Sequence, residues 1–174
     1  PMAAPEAAVD QVAYSYQRKA ISKLKQVLQK KKNSRHEAKY LIRLAKLQQD
    51  NAQVTFRIAH AEAYYSKKPI NLTQFKRIIS ESISTLNRFC KKYKRDPDIA
   101  LAHYMRAKGY EELGKNVAAG KGYGYLVKRF PNFEGAKIAY LSLAKFSEED
   151  GKYEKAIHYL RSARIKRTDP QYPF

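Results

Sequence analysis

The chain repeats itself at an interval of 37 residues. Leu113-Gly114-Lys115 recurs as Asp150-Gly151-Lys152, and Ala119 recurs as Ala156 at the same interval. A period of roughly 20–50 residues is typical of repeat proteins, whose stacked units bury together the apolar face that no single unit buries alone. The repeat therefore predicts stacked copies of one supersecondary unit.

Apolar residues follow a helical period through most of the chain. In the first segment they recur at spacings of three and four, which places them on one side of a helix. This stripe consists of Tyr16, Ala20, Ile21, Leu24, Val27 and Leu28. No segment shows the sustained apolar–polar alternation of a strand, so we predict an all-α chain of about seven helices.

Turn residues and composition set the predicted boundaries. Residues 1–9 are small and contain proline, which indicates a linker or leader, and 174 residues favour one domain, here over 10–174. The first helix is expected from Asp10 to about Lys30. The second is expected from Arg35 to Ser66, and the sequence leaves open whether Asp50-Asn51 breaks it.

Capping signals mark the later helices. Asn71, three residues before a glutamine, predicts a capping box at the start of the third helix. Asp96-Pro97 predicts an N-cap with proline at the first helical position of the fourth. Gly114 and Gly151 predict left-handed helix ends, and the seventh helix is expected over 152–167.

The repeated residues resemble the tetratricopeptide repeat family, whose unit is two antiparallel helices with small residues where the helices touch. One unit matches the family pattern at Ala107, Tyr110, Gly114, Ala119, Tyr123 and Pro131. The next matches it at Tyr140, Leu143, Ala144, Gly151, Tyr153, Ala156, Leu160 and Ala163. Leu126 departs from the pattern, since a small residue is usual there, and Pro170 comes late.

The resemblance implies a right-handed α-solenoid of three units after an N-terminal half unit, with a groove lined by the first helix of each unit. It implies a non-enzymatic scaffold for protein–protein interaction. The stretch from Tyr123 to Pro131 resembles envelope- and motility-associated bacterial members. The compartment stays open between the bacterial envelope and the cytoplasm, with the envelope favoured if a targeting segment has been removed.

Residue patterns for catalysis or metal binding are missing from the sequence. GxSxG is absent, and the four histidines lack HxxxH or HxxE spacing; they are His36, His60, His103 and His158. The single Cys90 lies on the apolar stripe of the third helix, which predicts a buried thiol. We therefore predict no catalytic residue, no metal site and no cofactor.

Three glycines lie inside the predicted fifth helix, in the stretch 120–124. A phosphate-binding loop needs a preceding strand and a longer spacing. Each glycine inside a helix costs about 1 kcal/mol relative to alanine, so a packing reason is expected. Gly120 and Gly124 are one turn apart, which predicts a close approach of two helices there.

The charge points to an anionic partner. Lys and Arg number 35 against 16 Asp and Glu, which gives a formal net charge of +19. Such a balance favours nucleic acid, anionic lipid or an acidic protein. The cations are not confined to one helix face and no RNA-binding motif is present, so nucleic acid is the alternative and an acidic protein the preferred partner.

Three lysines occupy the same position in the first helix of three units: Lys46, Lys108 and Lys145. The neighbouring positions of the predicted groove are Lys39, Ile42, Arg43, Leu101, Tyr104, Ile138 and Leu141. Lysines beside apolar and aromatic residues suit an acidic peptide with hydrophobic anchors. The set resembles the carboxylate clamp of some family members, although the clamp's asparagines are not matched. Lysines placed for solubility are the competing interpretation.

The ends of the predicted stack carry apolar residues without an assigned neighbour. On the long second helix they are Val54, Ile58, Ala61 and Tyr65. Either this helix folds back on the 10–32 helix or its stripe docks another chain. Apolar residues on the last helix raise the same question, and we predict either self-association through the helix ends or a missing continuation of the natural chain.

Overall fold

The computed structural model describes residues 5–163, and all the regular structure within that range is helical. The helices are α1 (Pro5–Lys30), α2 (Glu37–Ser66), α3 (Thr73–Lys92), α4 (Ile99–Glu112), α5 (Asn116–Arg129), α6 (Ala136–Glu149) and α7 (Tyr153–Ser162). The prediction of an all-α chain of about seven helices is confirmed over this range. Among these helices, none is both long enough and apolar enough to cross a membrane.

The chain divides into two compact units, one up to Asp96 and the other from Pro97. Unit 1 contains α1–α3 and unit 2 contains α4–α7. α1 begins at Pro5, so residues 5–9 belong to a helix and not to the predicted linker.

In unit 1, α2 runs without a break and packs between α1 and α3. Asn51 is buried and donates a hydrogen bond from Nδ2 to Gln17 of α1 over 3.1 Å. Arg57 pairs with Asp10 over 2.6 Å, which aligns α1 antiparallel to α2. The long helix therefore folds against α1, the first of the two predicted alternatives, although Tyr65 at its end stays 55% exposed.

In unit 2, two hairpins repeat the same turn. Gly114 and Gly151 have φ of 70° and 71°, a left-handed conformation that glycine adopts without strain. The N–H of Lys115 donates to the carbonyl of Tyr110, and the N–H of Lys152 donates to that of Ser147. The predicted helix-turn-helix units are confirmed in this geometry.

Two predicted helix starts are wrong, by one residue for α3 and by two residues for α4. α3 begins at Thr73, whose N–H donates to Asn71 Oδ1 over 3.0 Å. The predicted capping box does not form because the Gln74 side chain instead donates to the Tyr14 hydroxyl of α1. α4 begins at Ile99, after a turn that includes Asp96-Pro97, since the N–H of Asp96 donates to the preceding turn. The predicted end of the seventh helix at Arg167 lies outside the described residues.

The glycine that allows close helix approach is Gly122. A Cβ atom built there would lie 2.8 Å from the Cβ and 3.4 Å from the Cα of Ala107 on α4. A Cβ at Gly120 would make an ordinary 3.7 Å contact, and one at Gly124 would meet nothing within 4 Å. The predicted reason for the glycines is right, but the predicted positions are wrong.

The small positions of the repeat are buried as predicted. Ala119 is fully buried in the core of unit 2 beside Tyr123 and Leu126, and Ala156 is buried on α7. Cys90 is also buried, as predicted.

Ala119→Leu is expected to lower the free energy of unfolding by roughly 2 kcal/mol, because a larger side chain overpacks a filled core. Urea denaturation followed by circular dichroism measures this effect. Lys121→Leu, on the exposed side of the same helix, is the control and is expected to change stability by less than about 0.5 kcal/mol. Equal urea midpoints for the two variants would show that the alignment of the repeats, which places Ala119 in the core, is wrong.

Candidate protein-binding site

Equivalent residues of α4 and α6 lie on one face of each helix. On α4, Leu101 and Tyr104 are half-buried and Lys108 is exposed. On α6, 37 residues later, Leu141 is half-buried, Lys145 is exposed and Ile138 is 45% exposed. Each helix therefore presents one lysine next to two apolar side chains.

The two helices touch, so these residues share a surface. Ser142 of α6 donates a hydrogen bond from Oγ to Glu111 of α4 over 3.1 Å. The ring of Tyr104 lies 5.9 Å from that of Phe133, just before α6. The surface formed in this way is the α4–α6 face, made of Leu101, Tyr104, Lys108, Ile138, Leu141 and Lys145.

Carboxylates continue the α4–α6 face at its C-terminal end, and the sequence reasoning missed them. Glu111 accepts a hydrogen bond from the Tyr123 hydroxyl over 2.7 Å, which ties α4 to α5. Lys145 lies 3.9 Å from Glu149 on α6. The 37-residue interval could have found this feature, because it places 111–112 on 148–149 and all four residues are glutamates.

Burial and charge set the acidity of the tyrosines near this face. Burial raises the pKa of Tyr123 strongly, and the hydrogen bond to Glu111 adds to that effect. Burial also raises the pKa of Tyr104, with a smaller contribution from the negative charge of Glu111. Both phenols are therefore neutral at physiological pH, and Glu111 accepts ordinary hydrogen bonds from the hydroxyls of Tyr123 and Ser142.

The predicted groove residues of α2 belong to unit 1. Lys39, Arg43 and Lys46 are exposed there, whereas Ile42 is only 8% exposed and lies in the core of that unit. The three exposed cations lie on one side of α2 because they are three, four and seven residues apart. A single ladder through Lys46, Lys108 and Lys145 stays a prediction.

The ring of His103 packs against a neighbouring aromatic side chain, and its pKa is strongly shifted. Burial lowers the pKa of His103 to about 4, with a smaller contribution from the charge of Arg106. Its ring packs 4.6 Å from that of Tyr125 on the neighbouring helix. Over residues 5–163, no cluster of three or more His, Cys, Asp or Glu side chains could hold a metal ion.

No protein-family model matches the chain, and no curated protein is similar to it in sequence. Among solved structures, it is similar to a crystal structure of MamA, with 19% identity, 83% of this chain and 85% of that chain covered, and a TM-score of 0.45. A second MamA structure gives 19% identity, coverage of 90% and 89%, and a TM-score of 0.44.

A third similar structure is that of the nearly identical tetratricopeptide-like repeats of a putative kinesin light chain from Podospora anserina. Its identity is 16%, the covered shares are 89% of this chain and 91% of that chain, and the TM-score is 0.39. The repeated helix-turn-helix hairpins of unit 2 are seen in its own glycine turns and buried small residues.

Proposed function

We propose that the protein is a non-enzymatic scaffold for protein–protein interaction and that its α4–α6 face binds an acidic protein or peptide. The observation that carries this proposal is the same lysine beside the same pair of apolar positions on two touching helices. Lys39, Arg43 and Lys46 of α2 form a second basic set, which can attract acidic residues of a protein partner to unit 1.

Each part of the face has a different role in the proposed binding. Lys108 and Lys145 are exposed, so they attract carboxylates and raise the association rate more than they add to affinity. Leu101, Tyr104 and Ile138 offer apolar contact area, which supplies most of the affinity in protein interfaces. A partner with acidic residues around a hydrophobic anchor fits both requirements.

The carboxylates at the end of the face favour protein over nucleic acid. Glu149 lies 3.9 Å from Lys145, and together with Glu111 of α4 it would repel a strand with a phosphate at every nucleotide. An acidic peptide can leave these positions facing uncharged residues. Elution from a nucleic-acid column at low salt supports the protein partner, and elution only at high salt supports the alternative.

Reversing the charge of both lysines, with Lys108→Glu and Lys145→Glu, is expected to remove the partner from a pull-down read by mass spectrometry. The helical circular dichroism should not change, because both side chains are exposed. The matched control is Lys121→Glu with Lys128→Glu on α5, which alters the net charge equally at two other exposed positions. Equal loss in both double variants would show that net charge, and not the α4–α6 face, holds the partner.

A further inference from the structure

A trough runs along unit 1 on the side of α2 opposite to its exposed cations. α1 and α3 form its walls and α2 forms its floor. Two polar contacts cross from wall to wall: Gln74 donates to the Tyr14 hydroxyl over 3.1 Å, and Lys25 pairs with Glu81 over 2.9 Å. The trough consists of two clefts: Lys25 and Glu81 line one of them, and Tyr14 and Gln74 line the other.

One end of the trough is cationic. It forms a cleft of about 350 Å³ lined by Arg18, Lys25 and Arg77, with Glu81 as the single carboxylate. Its floor contains two amide side chains, Gln48 and Asn51, each only 1% exposed.

The carboxylate at this end is already paired. Burial would raise the pKa of Glu81, but the hydrogen bond and charge of Lys25 and the charge of Arg77 lower it. Arg18 donates only to the Tyr14 hydroxyl among the contacts seen for it, so a further anion can bind beside it.

The other end is free of cations. It forms a cleft of about 490 Å³ lined by uncharged side chains such as Thr55, Ile58 and Asn71, together with Glu62. The trough is therefore positively charged at one end and neutral to acidic at the other.

We propose that this trough binds an extended peptide segment with carboxylates at one end and small uncharged residues at the other. The acidic end lies over Arg18 and Arg77, and the uncharged end lies over Ile58 and Thr55. Gln26 and Gln29 of α1 line the cationic cleft and are exposed, so their side-chain amides suit the donors and acceptors of a peptide backbone. A nucleic-acid strand fits less well because its charge is uniform, whereas the trough changes sign along its length.

The test uses a fluorescein-labelled peptide with five acidic residues followed by five Ser, Ala or Gly residues. Anisotropy is measured on the full chain at about 150 mM salt, where exposed charges are screened beyond about 8 Å. The measurement is made with Lys108→Glu and Lys145→Glu present, so that the α4–α6 face does not contribute. A failure of this proposal is then distinct from a failure of the proposed function.

Ser22→Phe fills the cationic cleft from α1 and is expected to weaken binding at least tenfold. Ser15→Phe is the matched control, because Ser15 is exposed on the same helix and lines neither cleft. Arg18→Gln with Arg77→Gln should weaken binding as much as Ser22→Phe, and Lys23→Gln on the outer side of α1 should not. Circular dichroism checks that each variant is folded.

Three results would overturn the proposal. The first is no binding at peptide concentrations up to about 1 mM, and the second is equal weakening by Ser22→Phe and Ser15→Phe. The third is tighter binding of a ten-nucleotide single-stranded DNA than of the peptide, if the same variants also weaken the binding of that DNA. A peptide of the same composition with its acidic residues spread evenly should bind several-fold more weakly, because its charge does not match the trough.

Discussion

Glu37→Gln is expected to lower the free energy of unfolding at neutral pH by about 3 kcal/mol, the largest effect of any single change considered for this chain. The Glu37 carboxylate is fully buried at the start of α2 and accepts hydrogen bonds from Arg88, Lys92 and Tyr93 at the end of α3. It also accepts the N–H of Asn33 over 2.8 Å in the turn between α1 and α2. Removing its charge weakens all of these contacts.

The acidity of Glu37 gives the pH dependence of this effect. Burial would raise its pKa, but hydrogen bonds from Lys92, Tyr93, the Asn33 backbone and Arg88 lower it from 4.5 to about 2. That difference corresponds to about 3 kcal/mol. Because the pKa is lower in the folded state, the stabilisation is complete above about pH 5 and is lost as the pH falls towards 2.

Urea denaturation between pH 7 and pH 2.5 measures this dependence. The difference in stability between the wild type and Glu37→Gln should be largest at pH 7 and should shrink towards pH 2.5. Glu62→Gln, an exposed position on the same helix, is the control and should track the wild type. A constant difference across this range would contradict the role given to the ionised carboxylate.

Gly122→Ala and Gly124→Ala are expected to have opposite effects although they lie two residues apart on α5. A Cβ at Gly122 would lie 2.8 Å from the Cβ of Ala107, which is fixed to the backbone of α4 and cannot turn away. α4 and α5 must therefore separate, at a cost of about 2 kcal/mol. At Gly124 there is space, so alanine gains about 1 kcal/mol of helix propensity.

Melting temperatures of the two variants, measured side by side, decide this prediction. Gly122→Ala should melt below the wild type and Gly124→Ala above it. The gain in helix propensity is common to both variants, so their free energies of unfolding should differ by about 2 kcal/mol, the cost of separating the helices. Two variants that both gain stability would show that α4 and α5 are not in close contact at Gly122.

The parts of the fold that depend on local sequence were predictable. Gly114 and Gly151 were placed correctly because a left-handed turn needs glycine whatever surrounds it. The small residues Ala119 and Ala156 were placed by the 37-residue interval together with the resemblance to the repeat family. The start of α3 was not predicted correctly, because Gln74, the expected capping residue, donates a hydrogen bond to Tyr14, which lies 60 residues earlier in the chain.

Contacts between distant residues account for what the sequence did not reveal. Glu37 is charged and lies in a short polar stretch, and its partners come 51 to 56 residues later. Close helix approach requires a glycine at 122 and not at 120 or 124, and this depends on where Ala107 lies on α4. At the α4–α6 face, the lysines were predicted from their equivalent positions in the repeat. The role of Glu111 could be recognised only from its hydrogen bonds with Tyr123 and Ser142.

Site-specific photo-cross-linking tests the central claim, that the α4–α6 face is where a partner protein binds. Benzoylphenylalanine is placed at Ile138, which is 45% exposed on that face, or at Val117, which is 77% exposed on α5 outside it. We predict that irradiation joins the Ile138 variant to an acidic protein and that Lys108→Glu with Lys145→Glu prevents this product. A cross-linked partner from Val117 and none from Ile138 would contradict the claim.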